Sequence, residues 1–322
     1  NIHDNYIFPT KNHEVYMKKE TIIVKNLKKA YGTKTVTDDV SVTFYSGEIV
    51  SLVGHNGAGK TTFLNQLNGT VSSDSGTVYI HGVDITNHPN RARELVSSMP
   101  QFQVPIKGVT IKEAIECIGL LKGMKKSELN KSSKQLMDYL AIEKWQSTTG
   151  EKLSGGLQRL TSFAMTVVDT PSIIVLDEPT NDVDPFRRTL MWRYLRILAN
   201  NGATVIIVTH NLFEVERYSD RYLMIDRGKI QKDVNVSDIK KERHILHQVS
   251  ILLADESLLD NYSHQTSVRY DKFEKRMSFS VEDNQLQRTL SLILEWLRED
   301  KIISYDIKLK SLSDDYEEYI DE

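Results

Sequence analysis

Several things are scarce in this chain, and each scarcity excludes something. A single cysteine, Cys117, among 322 residues rules out an internal disulfide. It suits a reducing compartment, and on a helix it reads as a small core hydrophobe. Long hydrophobic runs are missing: the longest are about five residues, against the ~20 that an apolar helix needs to cross a bilayer. Charge of one sign is missing as well. Lys plus Arg number 41 and Asp plus Glu 44, so a net charge of −3 gives no electrostatic case for a nucleic-acid partner. There is no internal repeat or low-complexity linker, and residues 1–19 are polar where a secretory signal would be apolar. What remains, 39% hydrophobic and 26% charged, is an ordinary globular composition of a length that suggests two domains.

The most informative segment present is Gly54-His55-Asn56-Gly57-Ala58-Gly59-Lys60-Thr61. It has the P-loop spacing of Gly, four residues, then Gly-Lys-Thr, after the apolar run Ile49 to Val53 and before a helix-like stretch from Thr62. Glycines let successive backbone N–H groups turn inward around a phosphate. The helix start adds further free N–H groups and a positive dipole end. Lys60 is placed to reach the β- and γ-phosphates and the Thr61 hydroxyl to hold Mg²⁺. A pattern of this length also arises by chance, so the residues downstream of it decide.

Four more pieces appear in order. Leu153-Ser154-Gly155-Gly156-Leu157-Gln158-Arg159 opens a helix, and Ile173-Ile174-Val175-Leu176-Asp177-Glu178 is an apolar strand ending in two carboxylates. Asn181-Asp182-Val183-Asp184-Pro185 is a turn-rich loop, and Thr204 to His210 is a second buried strand tipped by histidine. With the P-loop, these resemble the nucleotide-binding domain of ABC transporters over about residues 20–235. The LSGG signature is the decisive piece, since other P-loop ATPases lack it.

The resemblance implies roles for the remaining positions. Gly54, His55, Asn56, Gly57, Ala58, Gly59, Lys60, Thr61 and Thr62 would cradle ATP, with Tyr31 stacking on adenine. Thr61, Asp177 and Gln101 would serve Mg²⁺. Glu178 would polarise the attacking water as general base, with His210 holding the γ-phosphate and Gln101 touching metal and water. Ser154, Gly155 and Gly156 would serve the ATP of another subunit, and Asp184 would couple the two composite sites. Asp177, at the end of a buried strand, is costly to desolvate without a cation, which agrees with a metal role. There are departures: His55 stands where the family usually has Pro, Leu157 where it has Gln, and Asn181-Asp182-Val183 where Ser-Gly-Leu is usual. None removes a chemical group needed for hydrolysis.

The expected fold is α/β, a P-loop NTPase core over 21–235 with an antiparallel β subdomain and a helical subdomain at about 102–168. Thr21–Val24, Val40–Phe44 and Gly76–Ile80 read as strands; Ile111, Ile115, Ile118 and Leu121 recur at helical spacing, as do Leu129, Leu136 and Leu140. In the family this subdomain docks on the membrane partner, and Phe102, Val104 and Ile106 are apolar enough to be covered by one. A small α+β domain is expected over 240–322, with strands at His244–Ala254, Met277–Val281 and Ile302–Ile307. Its stripe Leu286, Leu290, Ile293, Leu294, Leu297 reads as its own core, a dimer contact being the alternative. Residues 1–20 read as an extension, with Met17 a natural start.

The resulting expectation is an ATP-hydrolysing subunit, peripheral on the cytoplasmic face of a membrane, that energises a separate permease. It would act as a homodimer or as a heterodimer with a related ATPase, with no nucleic-acid partner. Ser311 to Tyr316 resembles the tail of multidrug, antibiotic and bacteriocin exporter ATPases, which favours export. An importer subunit with a regulatory C-terminal domain, or a non-transport ABC ATPase, is the alternative.

Overall fold

Three five-residue segments, Ile49–Val53, Ile173–Asp177 and Thr204–Val208, are buried at every position. Strands with no polar alternation must be covered on both faces, and in a parallel sheet they are. The computed structural model describes residues 19–101, 107–243, 246–254, 258–259 and 268–309. The extension expected over 1–20 falls almost entirely outside them, as do Phe102, Val104 and Ile106, His244 and the acidic tail.

The chain divides into two units, Asn1–Val234 and Asn235–Glu322. In the first, β1 (Glu20–Tyr31), β2 (Lys34–Tyr45), β4 (Ser75–Ile80) and β5 (Val83–Asp84) form an antiparallel sheet in the order β2-β1-β4-β5. The second sheet runs β10-β9-β3-β8-β7-β6, built from β3 (Ile49–Val53), β6 (Ser97–Met99), β7 (Ile173–Asp177), β8 (Thr204–Val208), β9 (Arg221–Asp226) and β10 (Lys229–Asn235). Strands β6, β7, β8, β3 and β9 pair in parallel. Helices α1 (Lys60–Leu67), α2 (Pro89–Leu95), α3 (Ile111–Leu121), α4 (Lys126–Tyr139), α5 (Gly155–Val167), α6 (Pro185–Asn200) and α7 (Leu212–Tyr218) connect them.

The period of two along β7 separates two cores. Ile173 and Val175 join Ile22, Phe44, Val50 and α1's Phe63 between the two sheets. Ile174 and Leu176 face the other way, into a core with Phe163 of α5, Trp192 of α6, Ile115 of α3 and Leu136 of α4. The helical stripe on α3 is shorter than the spacing predicts. Ile111, Ala114 and Ile115 are buried and Gly119 packs on Leu129, whereas Leu121 is 77% exposed and Cys117, read as a core thiol, is exposed as well.

The second unit holds α8 (Val236–Arg243), β11 (Leu246–Leu253), β12 (Val268–Asp271), β13 (Arg276–Glu282), α9 (Asp283–Arg298) and β14 (Ile302–Leu309). Its strands are antiparallel in the order β12-β13-β11-β14. Val249, Ile251, Leu253 and Met277 pack against Ile293 and Trp296 of α9. Trp296 takes the inner position that the leucine spacing assigns to Leu294 and Leu297, which are both exposed. Among the described residues no helix is long and apolar enough to cross a membrane.

Candidate nucleotide-binding site

The loop from Gly54 to Gly59 joins the end of β3 to α1. Gly59 caps α1 with φ of +107°, and a Cβ there would run into the carbonyl oxygen of Val36, so both backbone angle and space demand glycine. The first turn of α1 carries no acidic side chain, which leaves its N–H groups and dipole open to an anion. Lys60 is nearly buried, and its Nζ donates to the carbonyl oxygens of Gly54 (2.7 Å) and His55 (2.9 Å). The ammonium is therefore held inside the loop it belongs to. Burial lowers its pKa, opposed by the charges of Glu178 and Asp177. His55 braces the loop from outside: Nε2 lies 2.7 Å from Asp226 Oδ1 at the end of β9, and Nδ1 lies 2.8 Å from Asn56 O.

Strand β7 delivers two carboxylates to the same place. The Thr61 hydroxyl donates to Asp177 Oδ2 at 2.8 Å, and burial raises the pKa of Asp177. Glu178 leaves the strand with φ of +50°, a left-handed conformation sparse for a residue with a Cβ. Its N–H donates to Val208 O of the neighbouring strand at 3.0 Å, which fixes the turn. The side chain is 2% exposed, and burial, aided by the charge of Asp177, pushes its pKa up to about 7. Glu178 Oε1 lies 2.9 Å from His210 Nε2 yet has no partner in hydrogen-bond geometry. A buried acceptor left in this state is an invitation to a water molecule or ligand. Desolvation lowers the pKa of His210, which favours the neutral ring.

These groups line one cavity of about 410 Å³: Asn56, Gly57, Gly59, Lys60, Thr61, Thr62, Gln101, Asp177, Glu178 and His210, with Lys34 and Val36 from the start of β2. The donor set of one hydroxyl, one aspartate and a glutamine amide suits a magnesium ion that keeps water and phosphate oxygens in its shell. Among the described residues no cluster of three His, Cys, Asp or Glu could hold a metal unaided. Residues of this kind fit a cation that arrives with a polyphosphate.

Other predicted positions lie elsewhere. Tyr31 is 52% exposed, with Lys29 Nζ 5.5 Å above its ring, and does not line the cavity. Ser154 is the exposed N-cap of α5, its Oγ accepting from Leu157 N, and Ser154, Gly155 and Gly156 do not line it either. Gly156 has a second duty: a Cβ there would strike the carbonyl oxygen of Asp182, so the signature helix and the loop before α6 approach backbone to backbone. Asp184 caps α6, accepting from Arg187 N (3.0 Å) and Arg187 Nη1 (2.7 Å). The spacing of motifs gave no role to Arg159, whose Nη1 donates to Gln101 O at 2.6 Å and ties α5 to that loop. Asp226 carried a usable signal, a carboxylate closing the apolar run Leu223 to Ile225.

A parallel sheet, a glycine loop leading into a helix and paired acids at the tip of an adjacent strand define a P-loop nucleotide hydrolase. Comparison with known proteins narrows the class. The ABC transporter family profile matches residues 37–181. Nod factor export ATP-binding protein I of Ralstonia nicotianae is 34% identical over 226 residues, covering 70% of this chain and 69% of that protein. The protein of that name from Paraburkholderia xenovorans is 34% identical over 213 residues, covering 66% and 70%. Two solved structures at 24% identity share the fold. An ATP-binding subunit of an ABC transporter has a TM-score of 0.65, with coverage of 69% and 92%. A dimeric ATP-binding cassette in a post-hydrolysis state with ADP and Pi has a TM-score of 0.62, with coverage of 67% and 98%. The chain belongs to the ABC transporter ATP-binding family and is an ATPase of that type.

Proposed function

We propose that the chain is the ATP-hydrolysing subunit of an exporter, working in pairs on a separate membrane permease. The observation that carries this reading is the convergence of Lys60, Thr61, Asp177, Glu178 and His210 on one cavity. The export names of the relatives support the direction of transport. A further cavity of about 440 Å³ supports the permease. It lies between β6, α3 and α5, its wall largely apolar with Ile111, Ala114, Ile118 and Met165.

In this reading the inward N–H groups of the loop and α1 bind the phosphates, and Lys60 exchanges its carbonyl partners for phosphate oxygens. Magnesium, when bound with the nucleotide, would neutralise charge between the phosphates, held by Thr61, Asp177 and Gln101. Glu178 takes a proton from the attacking water through its buried carboxylate, and His210 keeps that carboxylate and the γ-phosphate in register. Ser154 and Gly155, which are exposed, and the half-buried Gly156 lie away from this cavity, and their hydroxyl and N–H groups complete the site of a second subunit. Asp184 lies on the loop against which Gly156 packs and links the two sites.

Replacing Glu178 by Gln tests the reading. ATP binding stays within a few-fold of the parent, turnover falls by about 10²-fold or more, and an ATP-dependent dimer accumulates. Turnover close to the parent rate removes Glu178 from the general-base role.

A further inference from the structure

Strand β14 closes the C-terminal sheet on one side: among the described residues its registered neighbour is β11 alone. The side of an edge strand turned away from its neighbour offers N–H and C=O groups to another strand unless the sequence blunts it. The charges along this strand are Asp306 and Lys308, of opposite sign. Its eight residues, Ile302–Leu309, contain no proline, and Ile303, Tyr305 and Leu309 are 62%, 40% and 47% exposed. The register sorts its side chains by face. Tyr305, Ile307 and Leu309 stand opposite Ile251, Val249 and His247, continuing the row whose members Val249 and Ile251 are buried with α9. Asp306 and Lys308 stand opposite Ser250 and Gln248 on the polar face.

We propose that β14 pairs antiparallel with β14 of a second copy of this chain, about a two-fold axis at Ile307. Opposed residues of an antiparallel pair share a face, so an axis perpendicular to the sheet must pass beside a residue. At Ile307 it sets Asp306 against Lys308 of the other copy and, by symmetry, Lys308 against Asp306. On the apolar face Tyr305 meets Leu309 and Ile307 meets Ile307, so the hydrophobic row runs on across the axis. Other axes lose this match: at Asp306 or Lys308 a like charge faces itself, and at Tyr305 Asp306 faces Ser304. The interface is isologous, and two four-stranded sheets become one continuous sheet. The pairing needs no nucleotide. Its consequence, that two ATPase units stay at high effective concentration between cycles, rests on the two-subunit reading above.

The test uses the full chain with the exposed Cys117 replaced by Ser. Directly opposed residues in an antiparallel pair have Cα atoms about 4.5–5.5 Å apart, within disulfide range. Ile307→Cys should therefore cross-link to itself under mild oxidation without ATP, while Tyr305→Cys, facing Leu309, should not. By sedimentation, Asp306→Lys and Lys308→Asp should each raise the dimer dissociation constant about tenfold. The double exchange should return to within about threefold of the parent, a rescue that misfolding cannot produce. Three results overturn the proposal: no self-association up to about 100 µM, the weak end for a small interface; equal cross-linking at 305 and 307; or a double exchange no tighter than the single ones. The cross-link can form while the two-subunit ATPase assay fails, so the two readings fail separately.

Discussion

Glu178 is where sequence, conformation and chemistry meet at a single residue. As the second of two acids after four apolar residues it is legible as a strand-end acid; its left-handed backbone and the burial of its carboxylate beside His210 are not, because both come from neighbouring strands. With its pKa pushed up to about 7, the carboxylate must lose a proton before it can act as base. In the unliganded enzyme kcat/KM should rise tenfold per pH unit below about 7 and level off above it, and Glu178→Gln should flatten the profile. The stability effect has the opposite sense. The folded state holds this proton more tightly than the unfolded chain, so the carboxylate destabilises the fold as pH rises from 4.5 through about 7. Glu178→Gln should thus raise the melting temperature above pH 7 and lose that advantage towards pH 4.5; a constant difference would contradict the burial argument. If Lys60 pairs with phosphate as proposed, Lys60→Ala should weaken ATP binding about 10- to 100-fold by direct titration. Unchanged affinity would mean that the loop is not the cradle.

At the scale of elements, the buried strands were the easiest to read, since an unbroken apolar run bounded by turns has few alternatives. Amphipathic edges were harder. The helical period alone cannot tell that Leu121 and Leu297 point to solvent, because which end of a stripe finds a neighbour depends on the crossing of helices. The signature helix shows what spacing conceals. Gly155 and Gly156 read as phosphate contacts, and the need for Gly156 against Asp182 O emerges only once α5 lies on the loop before α6. Gly156→Ala should cost about 1–3 kcal/mol through that clash while leaving ATP affinity of the isolated subunit unchanged. Denaturant titration and nucleotide binding would separate the two, and lost affinity without lost stability would place Gly156 at its own chain's nucleotide instead.

For the whole molecule, five motifs in order made the ATPase unit legible, and the meeting of three of them, the P-loop, the paired acids and His210, at one cavity could be expected from the resemblance alone. The second unit offered no motif. Its strands and helix could be read from periodicity, but β12 is four residues alternating between half-buried and exposed and gave no signal above its surroundings. Direction of transport and the identity of partners depend on surfaces, which carry little periodic information. The claim that joins the parts is that Ser154 of one copy completes the site built by Lys60 of another. Mixing Lys60→Ala with Ser154→Arg subunits tests it most directly, because a mixed pair carries both defects in one composite site and neither in the other. Each variant alone should be inactive, and ATPase activity should reappear in the mixture in proportion to mixed pairs. An inactive mixture in which mixed pairs demonstrably form, or a Ser154→Arg protein that hydrolyses ATP at the parent rate, would contradict the account.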